Sequence, residues 1–158
     1  MKKFALTMLI FIFCYSVASA SDYFYVKRVV DGDTIVLEND ERVRFIGVDT
    51  PETVHPQKSV EYFGKEASAF TKRMCEGKQV RLEYDWQKRD KYNRLLAYVY
   101  LEDGTFVNAE IVKQGYGHAY TKFPFKYLKE FRLYERSARE NGVGLWGEDN
   151  SKVEVIDN

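Results

Sequence analysis

Asp31-Gly32-Asp33-Thr34-Ile35-Val36-Leu37, followed after a short polar stretch by Arg44-Phe45-Ile46-Gly47-Val48-Asp49-Thr50-Pro51-Glu52, decides how this chain is read. The β-branched and aromatic residues predict two strands, Thr34–Leu37 and Arg42–Val48. Glu38-Asn39-Asp40-Glu41 joins them as a tight hairpin with Asn-Asp at its centre. In that register Asp31 faces Val48, Asp33 faces Ile46 and Ile35 faces Arg44. Side chains alternate with period two, so Asp31, Asp33, Arg44 and Ile46 fall on one sheet face. Asp33 and Arg44 are then diagonal neighbours about 7–8 Å apart, close enough to share one ligand. Asp49 has the opposite parity, and a bulge at Gly47 would turn it onto the same face. Pro51 ends the strand and holds Thr50 extended, with its carbonyl free to point at a ligand.

These residue types suit one kind of chemistry. Asp33, Asp49 and a backbone carbonyl are hard oxygen donors, matching Ca²⁺ or Mg²⁺ in preference to Zn²⁺. Glu52 is a further carboxylate able to polarise water. An arginine beside a dication suggests a phosphate oxygen shared between them. A second motif, Asp90-Lys91-Tyr92-Asn93-Arg94, offers a cation, a stacking face and a guanidinium fork in succession, which together suit a nucleotide. Each motif alone has a plainer reading, an acid-rich hairpin or an ordinary charged turn.

Outward from these motifs the chain reads as one unit from Ser21 to Gly147, with residues 148–158 a polar tail. Tyr23–Val30 is a strand. Glu61–Glu76 is a helix with Phe63, Ala67, Phe70 and Met74 on one stripe and Gly77 as its stop. Val80, Leu82 and Tyr84 alternate with charged residues in a half-buried strand, and Leu95–Leu101 is another. Phe106–Gln114 and Phe125–Asn141 are helices stopped by Gly115 and Gly142. The order β-β-β-α-β-β-α-α argues for an α+β fold dominated by a small antiparallel β-barrel.

The 158 residues carry 24 Lys and Arg against 24 Asp and Glu, 45% hydrophobic and 16% aromatic residues, which excludes a disordered chain. Residues 1–20 form a signal peptide: a basic start at Lys2-Lys3, an apolar run Phe4–Phe13, and an Ala18-Ser19-Ala20 cleavage site. The run is too short for a membrane span, so secretion or periplasmic release after Ala20 is expected, without stable membrane association. Removing Lys2 and Lys3 leaves 22 bases against 24 acids, a net charge of −2. Nucleic-acid binding would then need a local basic patch. Cys14 leaves with the signal, so Cys75 is the lone thiol and no internal disulfide forms.

The run DGDTIVL…R…VDTPE, with DKYNR and LAYVY after it, resembles the thermonuclease family typified by staphylococcal nuclease. The likeness covers nearly all of residues 21–150, including the EASAFTK helix, VKQG and the C-terminal GLWGEDN. The resemblance implies an OB-type five-stranded antiparallel barrel with three helices. It implies Ca²⁺-dependent hydrolysis of DNA and RNA to 3′-phosphate ends by a monomer. It assigns Asp33, Asp49 and the Thr50 carbonyl to Ca²⁺, with Asp31 in the outer shell. It makes Glu52 the candidate general base and gives Arg44 and Arg94 the scissile phosphate. Lys91 and Tyr92 would contact a nucleotide phosphate, Tyr120 would stack on a base, and Lys58 would sit in a basic loop beside the site. The sequence departs from the family in a shorter hairpin before Arg44, in Phe45 for an aliphatic residue, and in Asn93 for glycine.

Other residues carry plainer readings. His55 has no Cys or His partner for zinc, and His118 reads as structural. Cys75 reads as core, and Trp146 as packing the C-terminus. Lys129, Arg132, Arg136 and Arg139 form a solvated helix face, with non-specific phosphate contact as the alternative. A non-catalytic OB-type nucleic-acid binder is the rival reading, and it would be expected to lack some of Asp33, Arg44, Glu52 and Arg94. An acidic Ca²⁺-binding module would leave both arginines unexplained.

Overall fold

The structure, a computed structural model, describes residues 23–53 and 61–147. The expected signal peptide, His55, Lys58 and residues 148–158 lie outside the described residues.

Five strands close into a barrel: β1 (Tyr23–Asp31), β2 (Thr34–Leu37), β3 (Arg42–Phe45), β5 (Gln79–Glu83) and β6 (Leu95–Leu101), in the spatial order β1-β2-β3-β6-β5. β1 pairs antiparallel with β2 and β5, β2 with β3, and β5 with β6. The seam between β3 and β6 is parallel, with Val43 beside Leu95 and Phe45 beside Ala97. It is the one parallel pairing in an otherwise antiparallel barrel, and the reason is topological. Strand directions cannot alternate around a closed ring of five, so one neighbouring pair must run the same way.

Two short strands, β4 (Val48–Asp49) and β7 (His118–Ala119), pair beside the barrel. The helices are α1 (Gly64–Cys75), α2 (Val107–Lys113) and α3 (Leu128–Glu140). Inside, Val26, Ile35, Leu37, Val43, Phe45, Val80, Ala97 and Val99 are buried with Ile111 and Phe131 of the helices. The buried stripe of α1 is Ala67, Thr71 and Cys75, with Phe70 and Met74 flanking it. Phe63 lies outside the helix in a left-handed conformation, φ 65°. The expected stripe is thus rotated by about one position, because Thr71 turns inward to donate its hydroxyl to the Gly32 carbonyl. A hydroxyl with a buried partner can occupy a core position that the apolar pattern alone would not assign to it.

Asn108 joins these parts. It is fully buried; its Oδ1 accepts the Val99 N–H at 2.9 Å, and its Nδ2 donates to the carbonyls of Ile46 at 3.0 Å and Ala97 at 3.1 Å. One side chain of α2 therefore fixes β6 and the turn leading into β4.

Cys75 is fully buried, and that burial pushes its thiol up to about 12. The thiolate is the reactive form, so the folded protein is expected to resist alkylation at pH 8 and to react once denatured. Intact-mass measurement after iodoacetamide treatment, with and without urea, checks this.

Candidate active site

The hairpin that opens the site differs from the sequence expectation in two ways. Asp31 pairs with Thr34, so Gly32-Asp33 is itself a two-residue turn between β1 and β2. Asp33 therefore leaves the strand and projects from a turn tip. At the next turn the register is Thr34↔Arg44, Ile35↔Val43 and Val36↔Arg42, one residue off the expected pairing. Asp40 adopts φ 63°, the Asp40 N–H donates to the Leu37 carbonyl, and the Leu37 N–H donates to the Glu41 carbonyl. That is a three-residue loop closed by a left-handed residue, which shifts the ladder by one.

Gly47 does not make a bulge within one long strand. Ile46 and Gly47 form a turn that separates β3 from β4, and Gly47 has φ 75°. A Cβ at Gly47 would lie 2.6 Å from the Phe125 ring, so only glycine lets the turn pack there. The turn does what the bulge was expected to do and brings Asp49 to Asp33. A Cβ at Gly32 would lie 2.7 Å from the Thr50 hydroxyl, so glycine there lets the two turns touch.

The contacts are direct. Asp33 Oδ2 accepts the Thr50 N–H at 3.0 Å and its hydroxyl at 3.1 Å, and Oδ1 accepts the Thr34 hydroxyl at 3.0 Å. Arg44 bridges two carboxylates: Nη1 is 2.5 Å from Asp33 Oδ2, and Nη2 donates to Asp49 Oδ1 at 2.9 Å. The first contact is a close ion pair whose direction is not that of a hydrogen bond. Thr50 is held through its N–H and hydroxyl, and its carbonyl is the polar group not used in that contact.

Asp31 lies beside this group. Its Oδ1 accepts the Gly32 N–H at 2.9 Å and the Thr53 hydroxyl at 2.8 Å. Burial raises the Asp31 pKa, and the Glu52 carboxyl hydrogen-bonded to it raises it further. Asp49 is also raised: burial is the main cause, the Arg44 guanidinium opposes it, and the Asp33 charge adds to it. Four carboxylates crowd one cleft, and such crowding is relieved by a bound cation.

Arg94 reaches the same cleft from the β5–β6 loop. Its Nε donates to Asp90 Oδ2 at 2.7 Å, and Asp90 Oδ1 accepts the N–H groups of Tyr92 at 2.9 Å and Arg94 at 3.0 Å. Burial pushes Asp90 up, but these bonds from Arg94 and Tyr92 outweigh it and hold the carboxyl below its usual range. Asn93 has φ 65°, so it serves the left-handed turn in place of glycine, as expected. Tyr92 lies under both neighbours, with the Arg94 guanidinium 5.4 Å and the Lys91 ammonium 4.9 Å from its ring.

Two adjoining cavities meet here, sharing Arg44, Asp49, Tyr92 and Arg94. One, of about 580 Å³, holds Asp31, Asp33, Thr50 and Glu52. The other, of about 520 Å³, holds Lys91 and Tyr120. All the sequence-derived site residues except Lys58 thus converge on one continuous cleft. Tyr120 is placed by its N–H bond to the Gly47 carbonyl at 2.9 Å.

Sequence reading missed Asp90, Trp86 and Phe123 in this cleft. Asp90 positions Arg94, and its signal was an acid opening a turn. Trp86 and Phe123 are exposed rings lining the second cavity, and Trp86 is fixed by its Nε1–H bond to the Pro124 carbonyl at 3.2 Å. A tryptophan inside a polar loop was the available signal. His118 and Trp146 lie edge to face at 5.0 Å; His118 is the strand partner of Asp49 and contacts Glu135 through Nδ1 at 3.3 Å, and neither residue lines the two cavities.

The chemistry of the donors fits a hard cation such as Ca²⁺: two aspartates, a backbone carbonyl and a carboxylate behind them. Among the described residues, no three His, Cys, Asp or Glu side chains converge at metal-ligand spacing, and Arg44 stands between Asp33 and Asp49. A cation here would share the two aspartates with that guanidinium.

Fold and cleft together define an OB-type β-barrel protein with carboxylates and arginines gathered at one site. Residues 42–148 match the family described as Staphylococcal nuclease homologue. The chain is 46% identical over 127 residues to the thermonuclease of Staphylococcus intermedius, spanning 78% of this chain and 75% of that protein. It is 44% identical over 125 residues to the thermonuclease of Staphylococcus hyicus, spanning 77% and 73%. It is 41% identical over 127 residues to endonuclease YncB of Bacillus subtilis, spanning 77% and 60%. The chain belongs to the staphylococcal nuclease homologue family.

Proposed function

We propose that this chain is a nuclease that hydrolyses phosphodiester bonds of DNA and RNA with one bound Ca²⁺, leaving 3′-phosphate ends. The observation that carries the proposal is the Arg44 guanidinium between Asp33 and Asp49, in a cleft shared with Arg94 and Glu52. Family membership points to the same chemistry.

Asp33, Asp49 and the Thr50 carbonyl would hold the cation, with Asp31 behind them. When bound, Ca²⁺ supplies charge neutralisation at the phosphate and favours deprotonation of water. Arg44 and Arg94 donate to the non-bridging oxygens, which gain charge as the phosphorus becomes pentacoordinate. Asp90 holds Arg94 through Nε, so its terminal nitrogens are presented without further reorganisation. Glu52 takes the proton of the attacking water, with the Asp31 carboxyl hydrogen-bonded beside it. Lys91, Tyr92 and Tyr120 contact the nucleotide on either side, and Lys58 would add charge at the rim.

We read the enzyme as a monomer released from residues 1–20 and acting outside the cytoplasm, over a domain of residues 21–147. Among the described residues no helix is long and apolar enough to cross a membrane.

The test is digestion of single-stranded DNA, double-stranded DNA and RNA in parallel, with Ca²⁺ or Mg²⁺ as the only divalent ion. All three substrates are expected to be cut with Ca²⁺. Mg²⁺ is expected to support little cleavage, because it demands tighter, near-octahedral coordination. Equal rates in the two metals would overturn the metal assignment.

A further inference from the structure

β1 carries two register shifts against β2, one between Val26 and Arg28 and one between Val29 and Asp31. In each, β1 advances two residues while β2 advances one. Burial records the first: Lys27 and Arg28 are exposed in succession, where strict alternation would bury one of them. A bulge re-aims the side chain that follows it. Here the bulges place Arg28 and Asp31, which have opposite parity, around one cavity.

The first bulge sets Arg28 opposite Val36, and Val36 stands opposite Arg42 on β3. Arg28, Val36 and Arg42 form a row across three strands, with Val36 buried beneath the two arginines. Arg42 is two residues from Arg44 and on its face, about 6.6–6.8 Å along the strand. Arg28 lies two strand spacings from Arg42, about 9.4–9.8 Å, so two guanidinium forks can meet over one small anion. Both arginines are exposed and line the cavity that holds Asp33, Arg44 and Glu52. Among the described residues neither forms an ion pair, whereas Arg44, Arg89, Arg94 and Arg139 all do. In a chain of zero formal charge, two unpaired arginines beside a cluster of carboxylates add free cationic charge to the cavity that holds Asp33 and Glu52.

We propose that Arg28 and Arg42 form a second phosphate subsite, which holds the next phosphate of a nucleic-acid strand beyond the one at Arg44 and Arg94. The proposal rests on the nuclease reading above. A carboxylate-rich cleft repels a polyanion, and this row offsets that repulsion along the strand's path to the reacting phosphate. Such a contact reads charge and spacing, not base identity, and it releases counterions on binding.

The test is equilibrium binding of a fluorescein-labelled single-stranded DNA 12-mer by anisotropy, between 50 and 200 mM salt, with chelator present so that nothing is cut. Cleavage by the unaltered protein in Ca²⁺ is scored separately. For the double variant Arg28→Gln/Arg42→Gln, Kd at 50 mM salt is expected to rise about tenfold. The slope of log K on log salt should become shallower by about 0.7, the share of the one phosphate that the protein no longer neutralises. Arg28→Lys/Arg42→Lys keeps both charges and should retain most of the slope. A wild-type slope in the glutamine variant would overturn the subsite, as would an equally shallow slope in the lysine variant, which would indicate disturbed packing. Absence of cleavage by the unaltered protein would instead strike the nuclease reading and leave the binding result to decide the subsite.

Discussion

Arg44→Lys and Arg94→Lys are each expected to lower kcat for DNA cleavage by about 10²–10³, with KM changed only a few-fold. Lysine keeps the positive charge but loses the planar fork. At position 44 that fork spans Asp33 and Asp49 at once, through two different nitrogens. At position 94 Nε is engaged by Asp90, so only the terminal nitrogens face the substrate. A lysine cannot divide its donors that way. Losing one donor aimed at developing charge typically costs about 2.7–4 kcal/mol in the transition state. Ground-state attraction depends mostly on charge and persists, so the loss falls on kcat. Arg132→Lys, on the exposed face of α3, should be nearly silent. Steady-state kinetics on one short DNA substrate settle the matter. If both cleft variants keep more than about half of the wild-type kcat, neither arginine clamps the reacting phosphate.

Asn108→Ala is expected to cost about 3–4 kcal/mol of stability. The side chain is fully buried and makes three hydrogen bonds. The Ala97 carbonyl retains a second donor, the Ile46 N–H, at 3.0 Å. The Val99 N–H and the Ile46 carbonyl lose the side-chain partner, and each buried group left unsatisfied costs about 1–3 kcal/mol. A domain with about 5–15 kcal/mol in total loses a large share of it. Urea denaturation should show a lower midpoint with an unchanged m-value. Asn108→Asp is isosteric and keeps the acceptor for Val99, but it sets lone pairs against two carbonyls, so it should be as damaging. If Asn108→Asp were neutral, the donor half of this anchor would carry no weight. Because the Ile46 turn leads into β4, both variants should also lose activity at temperatures where they remain folded.

The sequence made the elements legible where local chemistry sets them. Leu95–Leu101 and Thr34–Leu37 are strands with the expected bounds, because their apolar, aromatic or β-branched runs stop at strong turn residues. Asn93 and Gly47 were read as special backbone positions, and both have positive φ. The register around Asp33 was misread because two turns were treated as one. Asp31-Gly32-Asp33 between two β-branched runs is itself a hairpin signal, and the continuous strand reading hid it. The resulting face argument grouped Asp33 with Arg44 by parity, whereas the structure joins them through a turn tip and a bridging guanidinium. The parallel seam follows from closing five strands, a global condition that no local window contains. The bulges of β1 were equally hidden, since Lys27-Arg28 reads as two ordinary exposed charges. The site residues themselves were legible from motif and resemblance, and Asp33, Arg44, Glu52 and Arg94 do share one cavity. That convergence weighs against a barrel that merely binds nucleic acid.

The most direct measurement is cleavage of one end-labelled single-stranded DNA oligonucleotide by the purified protein, first with Ca²⁺ and then with excess chelator. The expected result is a ladder of products ending in 3′-phosphate with Ca²⁺, and intact substrate once the ion is removed. Cleavage at the same rate in chelator would contradict the assignment of Asp33, Asp49 and the Thr50 carbonyl to a required cation.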